Sequence, residues 1–116
     1  MKPLIHSKIS ARKFGGQWSD YIKIHDWMDH TKAHVPDMRH RCLLHNSWGI
    51  YLCEQIFGTT ITNSDGQLIS VRDIAEQHVI DDLGRIPTLA ECLEGMPISD
   101  LLGARQRNIR IIPLID

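Results

Sequence analysis

The sequence predicts a mainly α fold, a small helical bundle with one β-hairpin at about residues 59–70 and a strand-like C-terminal tail. Three observations predict it. Apolar residues recur at the 3.6-residue helical period over several stretches, each closed by glycine or proline. Residues 59–70 (TTITNSDGQLIS) instead carry strand formers on either side of Asn63-Ser64-Asp65-Gly66, which is turn chemistry. Histidines also fall inside three of the helical apolar stripes, where a buried polar ring needs a partner.

Residues 4–14 form a short amphipathic helix, with Ile5 and Ile9 one turn apart as its apolar edge, His6 beside them, and Gly15-Gly16 as its stop. A second helix starts near Trp18 or Ser19. Ser19 is its expected cap, and Asp20 suits the positive helix end. Its stripe is Tyr21, Ile24, His25, Met28 and Lys32. Asp29 stands at i+4 from His25, within reach of that ring, and His30 lies on another face.

Val35-Pro36 breaks the chain, and Pro36 can open the longest helix, expected over 36–57 and ended by Gly58. Its stripe reads Met38, Cys42, His45, Gly49, Leu52, Cys53 and Ile56. Glycine inside a helix costs about 1 kcal/mol against alanine, so Gly49 marks a close approach of another backbone or a ligand. In the hairpin, Asn63 and Asp65 resemble calcium-loop ligands, but no closing glutamate follows and that reading is rejected. Ser70 and Asp73 form a capping box for a helix bearing Val71, Ile74, Ala75, His78, Val79 and Leu83, stopped by Gly84. Asp82 is at i+4 from His78. Thr88 and Glu91 cap a last short helix, ended by Gly95 and Pro97. The tail has a basic patch, Arg105, Arg107 and Arg110, and an apolar run, Ile109–Ile115, able to join the hairpin or a second subunit.

The 116 residues predict one domain over 1–103 and an extension over 104–116. An apolar fraction of 42% suffices for one core, and a formal net charge of −1 provides no basic field for nucleic acid. No apolar run approaches the ~20 residues of a membrane span, and no signal-peptide core opens the chain. A cytoplasmic location is the expectation. Cys42, Cys53 and Cys92 lack CxxC spacing and read as buried thiols of a reducing compartment.

Helices of a bundle turn their apolar stripes to a shared axis, so His25, His45 and His78 are expected to converge. Three imidazoles with an open fourth position suit a divalent metal, zinc first, with iron, nickel or manganese as alternatives. Asp29 and Asp82 would be ligands or would fix the ring tautomers, and His34 and His6 would complete the set. A metal-free His–Asp network is the competing reading. Arg39, Arg41 and Lys32 are candidate anion-binding residues, because guanidinium forks match phosphate and carboxylate; salt bridging to Asp37 or Glu54 is their structural alternative.

The chain also resembles an uncharacterised family of small bacterial and bacteriophage-encoded proteins described as a domain of unknown function. The residues that carry the resemblance are His6 with Phe14-Gly15-Gly16, IHDWMDHTKAH at 24–34, RHR at 39–41, His45 with Gly49, TITNSDG at 60–66 and EQHVIDDLGRIPT at 76–88. They cover about residues 6–93. The resemblance implies the fold and the site but no reaction; a phage origin would imply interference with a host pathway. A looser resemblance is to metal-dependent phosphohydrolases of the HD type, whose order of ligands His6, His25-Asp26 and Asp81 or Asp82 repeat.

The functional expectation is a metal-binding protein with its His/Asp cluster between helices. The alternatives are a metal-dependent phosphohydrolase acting on a nucleotide or phosphoester, and a metal-free module binding an anion or a protein. Expected partners are a second copy of the chain through the C-terminal tail, a host protein, or a small phosphorylated ligand, with no membrane and no nucleic acid.

Overall fold

A computed structural model describes residues 1–96 and 98–103. The basic patch and the expected strand Ile109–Ile115 lie outside these described residues. Helices α1 (Pro3–Phe14), α2 (Ile22–Asp29), α3 (Arg41–Leu44), α4 (Ser47–Phe57), α5 (Val71–Leu83) and α6 (Leu89–Glu94) follow in order, with short 3₁₀ turns between them. Strands β1 (Thr60–Thr62) and β2 (Leu68–Ser70) sit between α4 and α5. The fold is mainly α with one antiparallel hairpin, paired Thr60 to Ser70, Ile61 to Ile69 and Thr62 to Leu68.

Helices α2, α4 and α5 pack on one another around a core of Tyr21, Ile24, Met28, Ile50, Cys53, Val71, Ile74, Ala75 and Val79. Ile69 closes the core from the hairpin. The turn is tied to the end of α1: Asn63 Oδ1 accepts from the Asp65 and Gln67 amides, and the Gly16 amide donates to Asp65 Oδ2 at 2.9 Å. Gly66 supplies the positive φ of 78° that this turn needs. Ser70 caps α5, its hydroxyl accepting from the Asp73 amide, and Thr88 with Glu91 forms a full capping box on α6. No helix among the described residues is long and apolar enough to cross a membrane.

Three expectations are corrected. The helix over 36–57 is not continuous. A 3₁₀ turn, Met38–His40, leads into α3, the chain bends at His45 (φ −84°, ψ 58°), and buried Asn46 starts α4 as its cap. Met38 and Ile56, placed on that helix's inner stripe, are 70% and 56% exposed. The second correction concerns α1, whose buried face is His6, Ser7 and Ser10, while Ile5 is 48% exposed. Small hydroxyl residues let this helix approach α2 and α5 closely, and the imidazole finds polar partners there; apolarity did not decide the inner face. Third, Ser19 does not cap α2. It lies in a 3₁₀ turn, Trp18–Asp20, whose cap is Gln17, and α2 follows Tyr21.

Asn46 holds the break from both sides. Its Oδ1 accepts from the Gly49 amide at 2.9 Å, and its Nδ2 donates to the Cys42 carbonyl at 2.8 Å. Loss of a cap costs about 1 kcal/mol and an orphaned buried carbonyl a similar amount. Asn46→Ala is therefore expected to lose about 2 kcal/mol in urea unfolding. Asn46→Asp keeps the acceptor for Gly49 but buries a carboxylate whose second oxygen faces the Cys42 carbonyl, so it should lose at least as much as alanine does.

Candidate metal centre

Three helices and the bend before α4 frame one cluster of buried side chains. His6 comes from α1, His25 and Asp29 from α2, His45 from the bend between α3 and α4, and His78 and Asp82 from α5. His25, His45 and His78 are at most 1% exposed, His6 is 1% exposed, and the Asp82 side chain is 2% exposed.

Four ligand-type atoms meet at one point. His45 Nε2 lies 3.0 Å from Asp82 Oδ2 and 3.3 Å from Asp29 Oδ1. His78 Nε2 lies 3.3 Å from Asp29 Oδ1 and 3.4 Å from Asp82 Oδ2, and the two Nε2 atoms are 3.2 Å apart. All four fall within 4.8 Å of one another, so this group can hold a metal ion. A tetrahedral ion with bonds of about 2.0 Å has ligand–ligand edges of about 3.3 Å. These five separations, from 3.0 to 3.4 Å, match that edge.

The other carboxylate oxygen of Asp82 faces away from this point. Oδ1 lies 3.2 Å from His6 Nε2, 3.7 Å from Arg41 Nη2 and 3.2 Å from the Met1 amino group. His6 stacks on His78 with ring centroids 3.7 Å apart, and its Nδ1 is 3.7 Å from Asp81 Oδ2. His25 donates or accepts twice, to Ser10 Oγ at 2.7 Å through Nε2 and to His78 Nδ1 at 2.8 Å through Nδ1. His40, 2% exposed, stands edge-on to His45 at 5.5 Å between centroids and lies 3.4 Å from Thr31 Oγ1 through its Nδ1.

Protonation follows from these surroundings. Burial first, then the neighbouring His78 and His6 rings, pushes His25 down to about 2. Burial, opposed by the Asp29 hydrogen bond and aided by the His6 ring, pushes His78 down to about 4. Burial also works against charge on His45, but its bonds to Asp29 and Asp82 outweigh that and raise its pKa. For Asp29 and Asp82, burial is outweighed by contacts from His45 and the other rings, which hold both well below the usual carboxylate range. At neutral pH, two ionised carboxylates thus face a neutral His78 ring and a His45 ring held toward its protonated form, whose proton a bound metal would displace.

Several buried atoms in the cluster lack an aligned hydrogen bond among the described residues: His45 Nδ1, Asp29 Oδ2, Arg41 Nε, and both nitrogens of His6, which meet Asp81 and Asp82 only as ion-pair contacts. Buried polar atoms are normally satisfied, and orphans mark a place for an ion or water.

Of the residues singled out from sequence, His6, His25, His45, His78, Asp29 and Asp82 are brought together. Asp29 reaches His45 and His78 on other elements, and not His25 four residues before it. His34 is exposed and belongs to neither ligand-spaced group. Asp26 is exposed beside buried His25, so the adjacent His-Asp pair does not converge. Arg39 is 84% exposed and paired to Asp37, and Lys32 is exposed. Sequence reasoning missed Ser10 and gave His40 no place in the cluster. Ser10 is four residues after His6, so the helical period itself placed both on one face.

Comparison with curated proteins and with solved structures finds no match for the chain. One family model matches residues 1–102, nearly all of the described chain and wider than the motifs that carry the resemblance. The chain therefore belongs to the family described as Domain of unknown function (DUF6915).

Proposed function

We propose that the protein binds one divalent metal ion, zinc in the first place, through Asp29 Oδ1, His45 Nε2, His78 Nε2 and Asp82 Oδ2. The observation that carries this reading is the set of five separations between 3.0 and 3.4 Å, contributed by side chains from three parts of the chain. Charge supports it as well. Two carboxylates and two neutral imidazoles offset a buried dication, whereas a buried charge without partners costs several kcal/mol. Zinc accepts nitrogen and oxygen ligands in this tetrahedral arrangement.

Metal analysis and thermal melting test the reading. One zinc per chain is expected. Zinc at a hundredfold excess over its dissociation constant should stabilise the fold by about 2.7 kcal/mol. That corresponds to a rise in melting temperature of roughly 10–20 °C for a domain of this size. No stoichiometric metal, together with an unmoved melting curve, would leave the competing metal-free His–Asp network in its place.

A cavity favours a second reading, in which the metal acts on an anionic substrate such as a phosphoester. The cavity has a volume of about 320 Å³ and is lined by Lys32, Pro36, Asp37, Met38, His40 and Arg41. Arg41 reaches Asp82 and His40 touches His45, so the cavity adjoins the centre through both. Arg41 and Lys32 would hold the anion there. Arg39 is already engaged bidentately by Asp37. Turnover of a phosphoester panel that is lost in His78→Ala would support this reading; turnover that persists would sink it.

A further inference from the structure

His6, His25 and His78 form a second group with ligand spacing, but their rings do not aim at a common ion. His6 lies over the face of His78 with the planes 22° apart. Lone pairs in nearly parallel stacked planes run side by side and do not converge. His25 and His78 meet head to head instead. A 2.8 Å contact extended by a ring radius of about 1.15 Å at each end reproduces the 5.1 Å between their centroids, so both Nδ1 lone pairs lie on one line. This is a hydrogen bond between two rings. The pair at the centre differs: His45 and His78 have centroids 4.9 Å apart for a 3.2 Å contact, with planes at 70°, so these rings are bent off their common line.

From Ser10 the bonds run in series, Oγ to His25 Nε2 at 2.7 Å and His25 Nδ1 to His78 Nδ1 at 2.8 Å, and they end at the four-atom centre through His78 Nε2. A neutral imidazole carries one N–H, and the nitrogen that binds a metal must be bare. A cation on His78 Nε2 therefore puts the His78 proton on Nδ1, which donates to His25 Nδ1. His25 must then carry its proton on Nε2 and donate to Ser10 Oγ. Without the cation, His78 Nε2–H can donate to Asp29 Oδ1 or Asp82 Oδ2, His25 Nδ1–H donates to His78, and the Ser10 hydroxyl donates to His25. Each of the three groups keeps one proton in both states, exchanged through solvent.

We propose that Ser10 and His25 are positioning residues for His78, forming a hydrogen-bond relay that fixes His78 as a metal ligand and reverses direction when the metal binds. This rests on the metal reading above. His25 is then a partner of a ligand and not a ligand. Groups of this kind set ring orientation and tautomer, and losing one weakens metal binding about 10- to 100-fold. His6 stacks on both relay rings, at 3.7 Å from His78 and 5.3 Å from His25, and holds them near a shared plane.

Long-range ¹H–¹⁵N spectra of histidine-labelled protein read each ring nitrogen, metal-free and with one equivalent of zinc. With zinc, His45 and His78 should each show one metal-bound nitrogen, His78 a protonated Nδ1, and His25 a protonated Nε2. Without zinc, the His25 proton should sit on Nδ1. A metal-bound nitrogen on His25, or one unchanged His25 tautomer in both states, overturns the relay and leaves the metal centre standing. Absence of any metal-bound nitrogen overturns the centre and the relay together. Ser10→Ala should bind zinc about 10- to 100-fold more weakly at unchanged stoichiometry, with His25 no longer held in one tautomer. Unchanged affinity would count against the relay, and if this variant does not fold, the wild-type spectra decide.

Discussion

Gly49→Ala is expected to destabilise the fold by about 3 kcal/mol or more, among the largest effects that adding one methyl group can have in this chain. An alanine Cβ at this position would stand 1.8 Å from the Leu44 carbonyl oxygen and 2.4 Å from its carbon. Both are backbone atoms, so no side chain can swing aside. The crowding follows from the bend. The chain folds back at His45, Asn46 caps α4 through the Gly49 amide, and the first turn of α4 lies under the last carbonyl of α3. Relief requires moving Leu44 to Asn46, which carries His45 out of the cluster. A fall in melting temperature of roughly 10–20 °C and weaker zinc binding should therefore appear together. Gly95→Ala is the control, because nothing lies within 4 Å of its added Cβ and its φ is −80°. Equal melting temperatures for the two variants would refute the close-approach argument.

Gly49 also shows how far the sequence carried. A glycine inside an apolar stripe announced a close approach, but not that the approaching group is the carbonyl five residues earlier. Periodicity continued in the sequence from Cys42 through Leu52 although the helix breaks at His45 and Asn46, because apolar spacing alone does not register a bend. The helix faces bearing His25 and His78 were readable because those helices are continuous through both residues. The inner face of α1 was not. There the buried residues are His6, Ser7 and Ser10, and the places of His6 and Ser10 are set by polar partners on α5 and α2 that no local pattern contains. Asp29 was legible as a partner for a histidine but not for the right ones, since His45 and His78 reach it only through the packing of α4 and α5 on α2. Turn chemistry, by contrast, is local: Asn63 through Gly66 specified the hairpin outright.

Asp82→Asn should separate the two roles of the cluster. Asp82 is the group that most of the others share. Oδ2 faces His45 and His78, while Oδ1 faces His6 and Arg41. Asparagine keeps the shape, cancels the charge and turns one acceptor into a donor. In metal-free protein this breaks a buried ion pair from one side and leaves His45 and Arg41 short of counter-charge, a loss of about 3 kcal/mol. With zinc the loss is larger, because the centre gives up an anionic ligand and the buried ion keeps a net positive charge. Affinity should fall more than the roughly hundredfold expected for a group outside the ligand set, so added zinc should no longer raise the melting temperature. Asp81→Asn supplies the contrast. Its carboxylate lies 3.7 Å from His6 Nδ1 and accepts from Gln77, but it is in neither ligand-spaced group, and its zinc response should match that of the wild type. A full zinc shift in Asp82→Asn would sink the four-ligand centre, because it would show that zinc binds as well without the Asp82 carboxylate.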